Sequence, residues 1–153
     1  MAAPTFFTGS WADAVRDALQ AGPGPEIRAT ALPEYWDFFD LIRSGYTASW
    51  ALGVRDLPRP LGGAPSYLLV RWDAGKVAEC RVTGPDDPLE ATYVLAGDYA
   101  DWRALHDGYD ARRAVMYRKI LLEEGNLLTF FQTIYFFVEC LAVIVRAGAS
   151  FPD

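Results

Sequence analysis

Among the groups in this chain that could move protons, three pairs of acids, one further glutamate and the one histidine stand out. Asp37 and Asp40 stand three residues apart, while Asp86–Asp87 and Glu123–Glu124 are adjacent. The spacing of Asp37 and Asp40 puts both carboxyls on one face of a short helix. If one of them were buried, its pKa would rise and it could serve as an acid. Asp86 and Asp87 lie between two prolines and read as a turn. Glu123 and Glu124 are neighbours on a predicted strand and point to opposite faces. Glu139 is the one charged side chain between residues 127 and 145. The single histidine, His106, falls at the end of a predicted helix, where the dipole favours a cationic imidazole, so it reads as structural. There is no G-x-S-x-G, P-loop, G-x-G-x-x-G, H-x-x-x-H or C-x-x-C spacing, and neither a metal nor a cofactor is expected. Cys80 and Cys140 read as small buried residues.

Elements of both kinds must position these groups. "GSWADAVRDALQAG" predicts a helix with Ser10 as N-cap and Trp11, Val15, Ala18 and Leu19 on one face, stopped by "GPGP". A second, aromatic helix is predicted over "EYWDFFDLIRSG". The period then changes to two. "YTASWALGVRDL" reads as a strand with Trp50, Leu52 and Val54 on one face, followed by the loop "PRPLGGAP". "SYLLVRW" and "KVAECRVTG" flank a three-residue hairpin turn, "DAG", in which Gly75 can take positive φ. "PDDP" is a break, "EATYVLAG" a fourth strand and "YADWRALHDG" a helix capped by Asp98. "DARRAVMY" follows as a short helix, "YRKILLEEGN" as a fifth strand and residues 127–145 as a last helix. Helices at both ends of a run of hairpin-linked strands predict an α+β fold, with a mostly antiparallel sheet covered on one face. At 153 residues, a single domain spanning 1–153 is expected.

The last helix is long enough to prompt the question of a membrane span. Glu139 would lie near the bilayer midplane, where a charge costs roughly 2.5–3.5 kcal/mol. Thr129, Gln132, Thr133, Glu139 and Cys140 fall on one side at 100° per residue, and Arg146 extends that side. A narrow polar stripe on a wide apolar surface predicts a helix packed inside the protein, with Glu139 exposed on the stripe and no integral membrane segment. The net charge of −6 would repel nucleic acid and an anionic membrane surface overall. The basic cluster Arg112, Arg113, Arg118 and Lys119 could override this locally, but reads as solvated faces. The start, "MAAPTFFTGSW", has no signal-peptide pattern, and a cytoplasmic location is the expectation.

Order and local wording resemble the sterol carrier protein family of lipid-binding domains, over nearly the whole chain and best over residues 91–142. The resemblance rests on "YVLAGDYADWRALHDG", then a short helix, a strand ending at Gly125 and Asn126, and a terminal helix. The family strand alternates Gly-Lys-apolar. Here Lys119, Ile120 and Leu122 stand in matching places, and Arg118 replaces the usual glycine. "SWADAVRDAL" is similar to the first helix of bacterial members. The resemblance implies a five-stranded sheet with helices on one face and, between them, an apolar tunnel for an acyl chain, sterol or other hydrophobic molecule. The terminal helix would form part of its wall. The lining expected here is Phe38, Phe39, Ile42, Trp50, Trp72, Met116, Phe130, Phe131, Ile134, Tyr135 and Val138, with Gln132 and Glu139 as polar contacts. The bulky aromatic terminal helix suits a smaller, flatter cavity and a ring system more than a long chain.

Three functions follow. The first is binding, and transfer or sequestration, of a hydrophobic small molecule without covalent chemistry. The second is a cofactor-free cyclase or isomerase in the same pocket, using Asp37, Asp40, Glu139 or a tyrosine as acid or base. The third is a partner-binding or dimerising module whose aromatic helix meets another chain, a second copy in the case of a homodimer.

Overall fold

The computed structural model describes residues 3–63, 66–84, 86–87 and 89–152. Five strands form one sheet in the order β3-β2-β1-β4-β5. They are β1 Ala48–Val54, β2 Ser66–Asp73, β3 Lys76–Thr83, β4 Tyr93–Gly97 and β5 Leu121–Glu124. All pairings are antiparallel except β1 with β4, which is parallel. The period-two pattern decides which face is covered. Trp50 is opposite Val70 and Tyr93, and Leu52 is opposite Leu68 and Leu95, so these buried side chains share one face. On the other face Tyr67 lies across Gly53, where a Cβ would sit 2.6 Å from the phenol ring.

The helices are α1 Gly9–Ala21, α2 Pro25–Arg28, α3 Pro33–Ser44, α4 Tyr99–His106, α5 Ala111–Met116, α6 Leu127–Gln132 and α7 Ile134–Arg146. The apolar face of α1 packs on β3 and α7, and α3, α4 and α5 also pack on α7. Helix α7 is therefore surrounded, which explains why it is apolar nearly all round: from Phe136 to Ile144 only Ala142 is not buried. Its 13 residues span about 20 Å, against about 30 Å of hydrocarbon in a bilayer. No helix of the described residues is long and apolar enough to cross a membrane.

Several boundaries differ from the sequence reading, each for a local reason. Thr8 caps α1, accepting from the Trp11 N–H at 3.4 Å, so Ser10 lies inside the helix. The hairpin turn is the two residues Ala74 and Gly75, at φ 48° and 81°, because Asp73 still pairs with Lys76 in the ladder. Two positive φ angles give the tight turn that matches strand twist. The fifth strand is short because the backbone N–H groups of Lys119 and Ile120 both donate to the Ala114 carbonyl, which closes α5 instead of extending the strand. The predicted terminal helix is two helices, broken at Thr133 (φ −119°, ψ 24°), whose hydroxyl donates to the Phe130 carbonyl at 3.4 Å. The polar stripe is thereby divided, with Thr129 and Gln132 on α6 and Glu139 on α7. The sequence reading missed α2 and a 3-10 turn at Arg59–Leu61. The break at 85–88 and the end of the loop at 64–65 fall partly outside the described residues.

Between sheet and helices the core is aromatic. Phe136 lies 4.6 Å from Tyr46, 5.1 Å from Phe39 and 5.2 Å from Trp72, centroid to centroid. Phe137 lies 5.0 Å from Trp50 and 5.1 Å from Phe130. The Trp50 indole donates to the Tyr46 hydroxyl at 2.9 Å, and burial pushes the Tyr46 phenol up to about 12. A second aromatic group ties the chain ends together. Phe6 stacks on Phe151 at 4.4 Å, while Phe6 N–H donates to Ser150 and Ser150 N–H to Pro4.

Candidate functional site

The structure divides the expected tunnel residues between inside and outside. Phe39, Trp50, Trp72, Phe130 and Val138 are buried, and the rings among them belong to the packed interior just described. Ile42 and Ile134 are half-buried against it. Phe38, Phe131, Gln132 and Tyr135 are exposed on the helices, and Met116 is 74% exposed at the end of α5.

The acid candidates separate as well. Asp37 and Asp40 are both exposed on α3. Asp40 accepts two N–H bonds from the Arg28 guanidinium, at 2.9 and 3.1 Å, a surface pair of modest worth. Glu139 corrects the sequence reading: its side chain is only 11% exposed, because this face of α7 lies against α5 and Arg112. Its Oε1 accepts from Arg112 Nη2 at 3.2 Å, so Arg112 is partnered rather than merely solvated. The same Nη2 donates to the Tyr35 hydroxyl at 3.5 Å, and the guanidinium lies 5.9 Å from the Tyr35 ring centre. Burial, followed by the neighbouring Glu139 charge, raises the Tyr35 pKa. Arg112, Glu139 and Tyr35 thus form one charged and hydrogen-bonded cluster joining α5, α7 and α3.

That cluster borders a cleft of about 680 Å³. One wall is α2 and the start of α3, with Ile27, Ala31 and Trp36. The floor is the face of α7 carrying Val138, Ala142 and Val145. The far wall is the α4–α5 connection, with Leu105, Tyr109 and Ala111. Polar groups are interspersed with these: Thr30, His106, Asp110, Arg112, Glu139 and Arg146. Concavity, a volume of several hundred Å³ and apolar side chains set among a few polar groups are features of small-molecule sites, and here polar and apolar surface share the lining about equally. Trp36 is 4% exposed, and its indole N–H has no partner. A buried N–H without an acceptor is costly and calls for an explanation.

His106 is the other unpartnered group at the cleft. Its Nδ1 lies 2.9 Å from the Trp102 carbonyl, which can only accept, so Nδ1 carries the proton and Nε2 holds a buried lone pair with no donor. The ring packs against Phe151 at 4.8 Å and Phe6 at 5.8 Å. Burial lowers its pKa, opposed by the Trp102 hydrogen bond and the neighbouring Asp107 charge. The sequence reading of a dipole-favoured cation is therefore corrected to a neutral ring. With a folded pKa below the unfolded value near 6.5, the unfolded chain takes up the proton first. Stability contributed by neutral His106 is complete above about pH 6.5 and is lost as pH falls toward the folded value. Urea unfolding at pH 7.5 and 5 is expected to show this loss, and His106→Gln should flatten that part of the profile.

The cysteines offer no nucleophile. Burial raises the Cys80 thiol to about 12 and raises Cys140 as well. Among the described residues no three His, Cys, Asp or Glu side chains come together as metal ligands.

Of the sequence-predicted residues only Val138 and Glu139 line the cleft. The signal for its outer wall was Pro25 followed by Glu26, a helix start at α2. The rest depends on pairings distant in sequence, such as Arg112 with Glu139.

No protein-family model matches the sequence, and no curated protein matches it by sequence. Solved structures do match by fold. A crystal structure of sterol carrier protein 2 aligns over 93% of this chain and 95% of its own, with TM-score 0.66 at 18% identity. A solution structure of a conserved hypothetical protein from Thermus thermophilus, for which a sterol carrier identity has been suggested, aligns over 100% and 96%. Its TM-score is 0.69 at 18% identity. The whole five-stranded mixed sheet with its helices is thus similar in fold to sterol carrier protein 2, and the chain has a fold of that type.

Proposed function

We propose that this protein binds a hydrophobic small molecule, lipid-like or polycyclic, in the cleft along α7, and carries or sequesters it without covalent chemistry. The observation that supports this reading most is the cleft itself: a hollow of about 680 Å³ whose floor and walls carry Ile27, Trp36, Leu105, Val138 and Val145 beside a few polar groups. The fold similarity to sterol carrier protein 2 supports the ligand class. Covering about 200 Å² of apolar ligand surface would contribute about 5 kcal/mol, reduced by the cost of fixing the ligand in place. The Arg112 and Glu139 side chains offer polar contacts at the rim, and the Arg112–Glu139–Tyr35 cluster holds the α5 wall against α7. The acids suggested for an enzymatic role do not converge. Asp37 and Asp40 are on the exposed face of α3, and Glu139 is engaged by Arg112.

The test is to purify the native protein, extract it with organic solvent, and analyse the extract by mass spectrometry against a mock preparation. A stoichiometric apolar molecule is the expected result. If the extract is empty and the protein shows no saturable binding of fatty acids, sterols or polycyclic compounds, the reading is wrong.

A further inference from the structure

We infer that the β5 edge of the sheet, from the end of α5 to α6, is a docking surface for an anionic lipid bilayer. The segment from Ala111 to Leu122 contains four cations and no acid, in a chain of net charge −6. Two of the four are engaged: Arg112 by Glu139, and Lys119 by Asp101 at 3.7 Å. Arg113 and Arg118 are exposed, and their guanidinium groups make no hydrogen bond or ion pair among the described residues. Between them stand Met116 and Tyr117, 74% and 67% exposed.

The backbone gives an independent sign. Arg118 sits at φ +60°, the left-handed region that favours glycine. A long, exposed cationic side chain thus stands at a position where a glycine would be less strained. The short strand β5 leads from this tip to α6, which carries no charge and leaves Leu127, Leu128 and Phe131 exposed. Of the two acids between, Glu123 is bonded to Arg55 at 3.2 Å, which leaves Glu124 as the opposing charge.

Exposed Met116 and Tyr117 flanked by free arginines, with the uncharged exposed face of α6 at the other end of β5, match the layers of a bilayer surface. Apolar groups and tyrosine enter the headgroup boundary while guanidinium groups meet lipid phosphates and carboxylates. The acidic remainder of the molecule is repelled by the same surface, which orients the β5 edge toward it. This inference is independent of the ligand proposed for the cleft.

The test is co-sedimentation of the full chain with vesicles of phosphatidylcholine alone and of phosphatidylcholine mixed with phosphatidylserine. Binding is expected to the mixed vesicles at about 0.05 M salt, and to weaken strongly at about 0.5 M, where charges are screened. Arg113→Ala and Arg118→Gly together should weaken it at least tenfold, since each basic residue at an anionic surface is worth roughly a fivefold change. Arg118→Gly relieves a strained φ, so loss of fold cannot account for that result. Met116→Ser should weaken binding at both salt concentrations. No association of the parent protein with the mixed vesicles, or undiminished binding by the double variant, would overturn the inference. So would a self-association broken by Met116→Ser in a protein that ignores vesicles, which would assign this surface to a second copy of the chain.

Discussion

Phe136→Ala is expected to destabilise the protein by about 3–5 kcal/mol, the range for removing a fully buried phenylalanine. The ring is 0% exposed and touches Phe39, Tyr46, Trp50 and Trp72, so it joins α3, β1 and β2 to the central helix. Neighbours of that size cannot all move inward to close the gap, and a cavity penalty adds to the lost burial. Phe131→Ala, at a ring 51% exposed on α6, should cost less than about 1 kcal/mol. Urea or thermal unfolding of the two variants measures the contrast. A small loss for Phe136→Ala would mean that the space between sheet and helices already has room, as a tunnel requires.

Ala142→Phe is expected to remove ligand binding while leaving the fold unchanged. Ala142 lies on the cleft face of α7, with Glu139 one turn before it. It is only half-buried, in a stretch otherwise buried from Phe136 to Ile144. A benzyl group there has open space to occupy, so it should not overpack the core as Val138→Phe would. It would take up roughly 100 Å³ of the cleft and cover the apolar floor, and a loss of affinity of tenfold or more is expected. Ala142→Ser, which keeps the volume, should bind within a few-fold of the parent. Equal binding by the parent and Ala142→Phe would remove the cleft from the account.

The fold was legible where pattern and chemistry agree over a whole element. Alternation placed Trp50, Leu52 and Val54 on the covered face, and Asp98 capped α4, as the sequence suggested. The terminal run shows where such reading stops. Its apolar surface correctly marked a helix inside the protein, but the periodicity gave no sign of the break at Thr133. At the break the Thr133 hydroxyl donates to the Phe130 carbonyl and Phe130 packs between Tyr93 and Phe137, contacts with residues whose positions the local pattern does not give. Once the helix divides, a stripe drawn across both halves loses its meaning, and Glu139 becomes buried instead of exposed.

The candidate site was less legible for a related reason. Large aromatic residues mark buried surface, and here most of them fill the interior against one another. The cleft is bordered by short side chains such as Ala31, Ala111 and Ala142, whose lack of bulk leaves the space open. Small residues carry no distinctive signal in sequence. The partnership of Arg112 with Glu139 links residues 27 apart and becomes apparent only when α5 lies on α7.

The location of the ligand can be measured with the chain's own tryptophans. Trp36 borders the cleft, whereas Trp50 and Trp72 lie within the packed interior. A brominated fatty acid quenches indoles within a few ångströms. The account predicts saturable quenching that falls sharply in Trp36→Phe and persists in Trp50→Phe. Quenching that survives Trp36→Phe and disappears with Trp50→Phe would put the ligand between sheet and helices and contradict the cleft.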